Sequence, residues 1–302
     1  MEITNPIQLT KTEVRLLGLH SVLNIMNVLL YNLSRLENAY GNYPLLSNGE
    51  LRIFTLSRAL KEDMSDKDLL NELLQFPKEL NQLFQELQGF LRDEGQGMDV
   101  FDEVYDNVKT IFQITEVRIR ELLARVENPL SWGTFSLEEL QRNYRQALSA
   151  IEKNSLGSYS IVFDLAEHEE GKYLVQFTVE SHNGNSVTMP NVFQDILRDL
   201  LANARKYTPP GGTISGGIND TGKEVHIVVQ DTGMGIPSYE LPAIVDFGFR
   251  ASNVQSMNTF GGGFGLTKAY YFTKLFGGRF WIDSVLGEGT KIKISLPVVD
   301  TI

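Results

Sequence analysis

Asp195-Ile-Leu-Arg-Asp-Leu-Leu-Ala-Asn-Ala-Arg-Lys-Tyr-Thr208 and Asp231-Thr-Gly-Met-Gly-Ile-Pro237 are the two stretches on which the reading of this chain turns. In the first, apolar residues recur with helical spacing, and Asp199, Asn203 and Lys206 fall at i, i+4 and i+7 on one face, beside Tyr207. Asn203 offers an uncharged oxygen suited to Mg²⁺, an ion that prefers oxygen ligands and keeps substrate phosphates in its shell. Lys206 can meet a phosphate as a point charge, although a merely solvated helix face would show the same Asp199 and Lys206. In the second stretch Val225, Ile227 and Val229 alternate into Asp231, which predicts a strand ending on a carboxylate. Such a group only accepts hydrogen bonds, and Gly233 and Gly235 after it let a flat ligand approach the backbone. Two readings stay open there: an acceptor for an exocyclic amine such as that of adenine, or an ordinary Asp-Gly turn.

Working outward, two more glycine clusters follow, Gly261-Gly-Gly-Phe-Gly-Leu266 and Gly287-Glu-Gly-Thr290. The first lies after a polar stretch from Ser252 to Thr259 and opens a helix, so its backbone N–H groups and the positive helix end suit an anion under a flexible lid. No Gly-Lys-Ser/Thr ending exists in the chain, which excludes a Walker loop. Of 26 glycines, six fall in residues 1–130 and twenty in residues 131–302, so the two halves make different demands on the backbone.

The first half is helical by its period. Leu16, Leu19, Leu23, Met26, Leu30 and Leu33 alternate steps of three and four, the seam of a bundle helix. A break at Gly41 to Gly49 ends it, a short helix from Leu51 to Leu60 follows, and Ser65 with Asp68 opens another segment that Pro77 is expected to kink or restart. A last helix runs from Phe101 towards Val126 and stops at Asn128 and Pro129. Beyond Trp132 an amphipathic helix (Leu137 to Ile151) leads into β-rich runs, a helix from about Asn191 to Tyr207, glycine-rich turns, the strand into Asp231, a helix from Leu266 to Phe276, and strands at Arg279 to Asp283 and Lys291 to Leu296. The expected fold class is α+β: an N-terminal antiparallel helical bundle, residues 1–130, followed by an α/β sandwich, residues 134–302.

Net charge of −11 argues against nucleic acid or an anionic membrane as a general partner. With no cysteine, disulfide scaffolds, thiolate metal sites and cysteine nucleophiles are excluded. No run of about 18 uninterrupted apolar residues marks a membrane span, and a soluble cytoplasmic protein is the expectation.

From about Ser136 to Pro297 the sequence resembles the ATP-binding domain of two-component sensor histidine kinases, within the ATPase superfamily that includes gyrase and Hsp90. The matching motifs run in order: an asparagine box (Asp199 to Thr208), a first glycine box (Asp231 to Pro237), a phenylalanine box (Phe247-Gly-Phe-Arg-Ala-Ser252) and a second glycine box (Gly261 to Leu266). The resemblance implies that ATP and Mg²⁺ are bound, with Asn203 on the metal, Lys206 on phosphate, Tyr207 beside the adenine, and Asp231 accepting from its amine with Thr290 in support. Gly233 and Gly235 belong to the adenine side. Gly261, Gly263, Gly265 and Leu266 would form the phosphate-side hinge of the lid, and Phe247 and Arg250 its near edge. One position departs from the pattern: the family's asparagine box usually begins with Asn, and here that residue is Asp199. It either assists as a general base or orients the metal shell.

Of the four histidines, His20 stands out because Asn24, Asn27 and Tyr31 share its helix face beside the apolar seam. The string Leu19-His-Ser-Val-Leu-Asn-Ile-Met-Asn-Val-Leu29 resembles the phosphoacceptor helix of the same family, in which the residue at the Asn24 position orients water for dephosphorylating the partner. The expected activity is therefore that of a protein histidine kinase, autophosphorylated on His20 and passing the phosphoryl group to a response regulator receiver domain. A homodimer and an upstream sensor protein are the other expected partners. Because Leu51 to Leu91 adds helix to the usual hairpin, the chain forms either a bundle by itself or a dimer with an enlarged hairpin, and the dimer is the expectation. The alternatives are a protein serine kinase resembling the mitochondrial dehydrogenase kinases, and a nucleotide-binding scaffold without transfer.

Overall fold

The computed structural model describes residues 1–63, 66–153, 159–257 and 262–298. The chain divides into two compact units, one of residues 10–129 and the other of residues 1–9 together with 130–302.

Among the described residues the first unit holds four helices: α1 (Lys11–Tyr40), α2 (Pro44–Glu62), α3 (Lys67–Asp93) and α4 (Asp99–Glu127). Thr10 caps α1 through a reciprocal exchange with Glu13, and Asp66 caps α3 by accepting from the amides of Asp68 and Leu69. The Ser65 expected at that cap lies outside the described residues. Each helix packs on its neighbours in sequence, and α1 closes on α4, so the bundle core is complete within one chain. The buried seam of α1 is Leu19, Val22, Met26, Leu29, Leu33 and Leu36. It keeps the expected heptad spacing but is rotated from the expected stripe, leaving Leu16, Leu23 and Leu30 only partly buried, because α1 is covered on two sides, by α2 and α4. Pro77 neither kinks α3 apart nor restarts it. A proline inside a helix costs about 3 kcal/mol, whereas burying Leu73, Phe76 and Leu80 in one stripe returns about 1.5–3 kcal/mol each. Among the described helices, α1 is the one long and apolar enough to cross a bilayer, and its apolar seam is packed inside the bundle.

In the second unit, β1 (Glu2–Ile3), β2 (Trp132–Ser136), α5 (Leu137–Lys153), β3 (Ser160–Val162), β4 (Lys172–Ser181), β5 (Ser186–Pro190), α6 (Val192–Tyr207), β6 (Thr213–Asp220), β7 (Glu224–Asp231), α7 (Gly265–Leu275), β8 (Arg279–Val285) and β9 (Gly289–Pro297) follow in chain order. Seven strands form one sheet in the order β1-β8-β9-β7-β6-β4-β3, parallel only at β3–β4 and β4–β6; β2 and β5 pair separately. Helices α5, α6 and α7 cover one face. Ile214, Ile218, Val225, Ile227, Val229, Phe280, Ile282, Ile292 and Ile294 point into that layer, while Gln230, Lys291 and Lys293 face solvent, the alternation of a sheet covered on one side.

Two features depart from the expectation. Residues 1–9 lie with the α/β unit rather than with the helices they precede: Glu2 and Ile3 pair with Trp281 and Phe280, Ile3 is buried in the core, and the Tyr270 hydroxyl donates to the Asn5 carbonyl at 2.5 Å. The physical reason is the otherwise open edge of β8, which the segment covers. The region expected as glycine-rich turns is the strand β6, central in the sheet. A Cβ at Gly216 would stand 2.9 Å from the Phe177 ring and 3.2 Å from Leu201, so glycine here makes room for packing rather than a turn.

Candidate functional site

The end of β7 builds the first wall. Asp231 pairs with Thr290 across β9, and its Oδ1 accepts from the amides of Gly233 at 2.8 Å and Thr290 at 3.3 Å. Ser284 links the Thr290 hydroxyl at 2.8 Å to the backbone of the glycine box, accepting from the Ile236 amide at 2.9 Å. Burial pushes the Asp231 carboxyl above its ordinary value, against the pull of its two amide donors. The glycines are steric necessities. A Cβ at Gly233 would meet the Tyr207 carbonyl at 2.4 Å, and Gly289, at φ 122°, would place one 2.0 Å from the Asp231 carbonyl.

Helix α6 supplies the second wall. Tyr207 is tied to the glycine box through its carbonyl, which accepts from the Met234 amide at 2.9 Å. Arg250 lies near enough to act on its hydroxyl, so the phenylalanine-box arginine and the asparagine-box tyrosine are neighbours in space. Burial raises the Tyr207 hydroxyl above its usual value, with Arg250 acting the other way. Lys206 lies 5.1 Å over the Tyr207 ring. Burial first, then Arg250 and Arg205, pull its ammonium down to about 8. Asn203 leans on the start of α7, where a Cβ at Gly265 would come within 2.7 Å of its amide nitrogen.

The turn that leads into α7 packs on aromatics. Phe247 packs on Phe264 with ring centroids 4.7 Å apart, and Gly263, at φ 75°, fits under the Phe249 carbonyl. Thr267 ties the first turn of α7 to the Asp246 carbonyl at 3.0 Å, and Asn253 donates to the Gly235 carbonyl at 2.9 Å. Leu266 packs against the core, and Gly261 lies outside the described residues.

Asp199 does not stand free beside Asn203. Its Oδ2 accepts from Lys268 Nζ at 2.8 Å, and the same ammonium reaches Asp195 Oδ2 at 2.5 Å. Lys268 is fully buried, as is Asp195, which also faces Arg198 at 3.7 Å. The signal for this pairing was present in the sequence as two acids at i, i+4 among the apolar positions of α6 and a lysine in the first turn of α7, but nothing local joins them.

Among the described residues no cluster of three or more His, Cys, Asp or Glu could hold a metal ion. The donor chemistry at the α6 face is the amide oxygen of Asn203, the Asp199 carboxylate one turn before it being held by Lys268. One such oxygen fits Mg²⁺, which binds through one or two protein oxygens and fills its shell with phosphate and water.

His20 and Asn24 belong to the helical unit. His20 is partly buried, and Asn24 Nδ2 lies 3.1 Å from its Nε2.

Residues 188–300 match the family of histidine kinase-, DNA gyrase B-, and HSP90-like ATPases. The adaptive-response sensory kinase SasA of Synechococcus elongatus is 35% identical over 135 residues, 43% of this chain and 34% of SasA. The sensor histidine kinase WalK of Bacillus subtilis is 35% identical over 104 residues, 34% of this chain and 17% of WalK. The matches thus span about a third or less of these relatives' length. The catalytic domain of histidine kinase ThkA overlays 55% of the chain at 20% identity with a TM-score of 0.40. Residues 188–300 are accordingly a domain of this ATPase family, and the α+β architecture is a helical N-terminal region joined to it.

Proposed function

We propose that this chain is an ATP-dependent protein histidine kinase of a two-component system, acting in the cytoplasm where ATP is available. The observation that carries the proposal is that the fold ties Asp231 to Thr290, Tyr207 to Met234 of the glycine box, and Asn203 to Gly265 within one domain of an ATP-binding family. In this reading Asp231 accepts from the adenine amine, and Lys206 meets phosphate. Asn203 holds Mg²⁺, which when bound neutralises phosphate charge. Gly263, Gly265 and Phe247 shape the lid edge.

His20 is the acceptor. Its Nε2 attacks the γ-phosphorus as the bond from that phosphorus to the β,γ-bridging oxygen breaks; ADP leaves, and the imidazole loses one proton. The Asn24 amide holds Nε2 in the resting state and must swing away for attack. A receiver-domain aspartate then takes the phosphoryl group. An upstream sensor protein and a second copy of the chain complete the proposed partners; with the bundle core filled inside one chain, pairing would use outward faces, and light scattering measures it.

Incubation with γ-labelled ATP tests the reading. Label is expected on the wild type, absent from His20→Ala and strongly reduced in Asn203→Ala, and it should be lost in acid and survive base. Label retained by His20→Ala overturns the acceptor assignment, and acid-stable, base-labile label would indicate a serine kinase instead.

A further inference from the structure

We infer that Lys268 is a positioning residue of the nucleotide site: anchored by Asp195, it fixes the Asp199 carboxylate beside Asn203 and so governs how the metal-bearing phosphate end of the nucleotide is received. The inference rests on the proposed ATP-binding function. A lysine is seldom fully buried, and Lys268 is, with its ammonium between Asp195 and Asp199 of α6. The spacing explains what it does. Gly265 and Lys268 lie at i and i+3 on α7, and they meet Asn203 and Asp199, four residues apart on α6. One turn of α7 therefore braces both polar groups, Asn203 by lacking a side chain and Asp199 by a charge.

Asp195 is 2% exposed and Asp199 15%, so Asp195 serves as the dry anchor while Asp199 keeps an edge towards the site. A carboxylate at position 199 needs a counter-ion at this depth; an amide there would need none. The three residues are thus one device, in which the acid at 199 and the lysine at 268 require each other.

The test is calorimetric binding of ADP to the full chain with and without Mg²⁺. The variants are Asp195→Asn/Lys268→Met, which removes one charge of each sign, and the same pair with Asp199→Asn added. Each variant's metal-free affinity, set chiefly by the adenine end at Asp231, is the reference from which its gain on adding Mg²⁺ is taken. The gain in affinity on adding Mg²⁺ should fall about tenfold in the pair variant and return to within about threefold of wild type in the triple variant. An undiminished gain in the pair variant, or no recovery in the triple, overturns the inference, because loss of packing alone would not track the charge at 199. If the pair variant does not fold, Asp195→Asn alone serves: a drop of about threefold supports the anchor role, and an unchanged gain overturns it. A wild-type chain that binds no ADP under either condition would defeat the proposed function itself.

Discussion

Lys206 carries the clearest chemical consequence at the scale of single residues. Its pKa is pulled from 10.5 to about 8 by burial and by Arg250 and Arg205. For a base whose folded value is depressed, the folded chain holds fewer protons between those two values, so stability contributed by this group rises with pH across that window. Nucleotide phosphates act oppositely, since they favour the ammonium. ADP binding at about pH 8.5 should therefore take up protons, a dependence of binding enthalpy on buffer ionisation that Lys206→Gln removes. Binding without proton uptake in the wild type would contradict the assignment of Lys206 to phosphate. Lys268 is the harder case. Removing it alone leaves Asp195 and Asp199 without their shared ammonium, and about 3–5 kcal/mol of stability should be lost, read as a lowered Tm against the charge-balanced pair variant.

At the scale of elements, the short strand β1 matters more than its two residues suggest. Ile3 is 1% exposed, and Glu2 forms two bonds to Arg279, at 3.0 and 2.7 Å. The bond between Tyr270 and the Asn5 carbonyl pins the segment after it onto α7. Ile3→Ala should cost about 2–4 kcal/mol by the cavity it leaves, measured by denaturant melting of the α/β unit. A loss below about 0.5 kcal/mol would mean that β1 is only loosely attached. Helix α3 teaches the converse lesson, for a single proline is outweighed by a stripe of buried leucine and phenylalanine. The glycine-rich strand β6 was illegible for a related reason: Gly216 and Gly217 look like turn residues until the Phe177 ring and Leu201 are seen to need the space beside Gly216.

At the scale of the whole molecule, the chain path is the notable property. The α/β unit begins at residue 1, is interrupted by the helical unit over residues 10–129, and resumes at residue 130. If β1 belongs to the stability of that unit, a chain in which residues 10–129 are replaced by a short Gly/Ser linker should melt at a higher temperature than residues 130–302 alone. Equal melting temperatures would show that the first nine residues add nothing to it.

The sequence by itself settled the larger division. Helical period before residue 128 and glycine clusters after it drew that division, and the order of Asp199 to Thr208, Asp231 to Pro237, Phe247 to Ser252 and Gly261 to Leu266 carried the resemblance to an ATP-binding domain, because such motifs are local strings. Tertiary structure decided what local strings cannot encode. It joined Asp231 to Thr290 and Tyr207 to Met234, carried residues 1–9 to the edge of β8, and closed four helices on one another within a single chain. It also turned Asp199 from a lone departure into half of an ion pair with Lys268, 69 positions away. A buried charge has to find its counter-ion wherever the fold brings one near, and sequence distance says nothing about where that is.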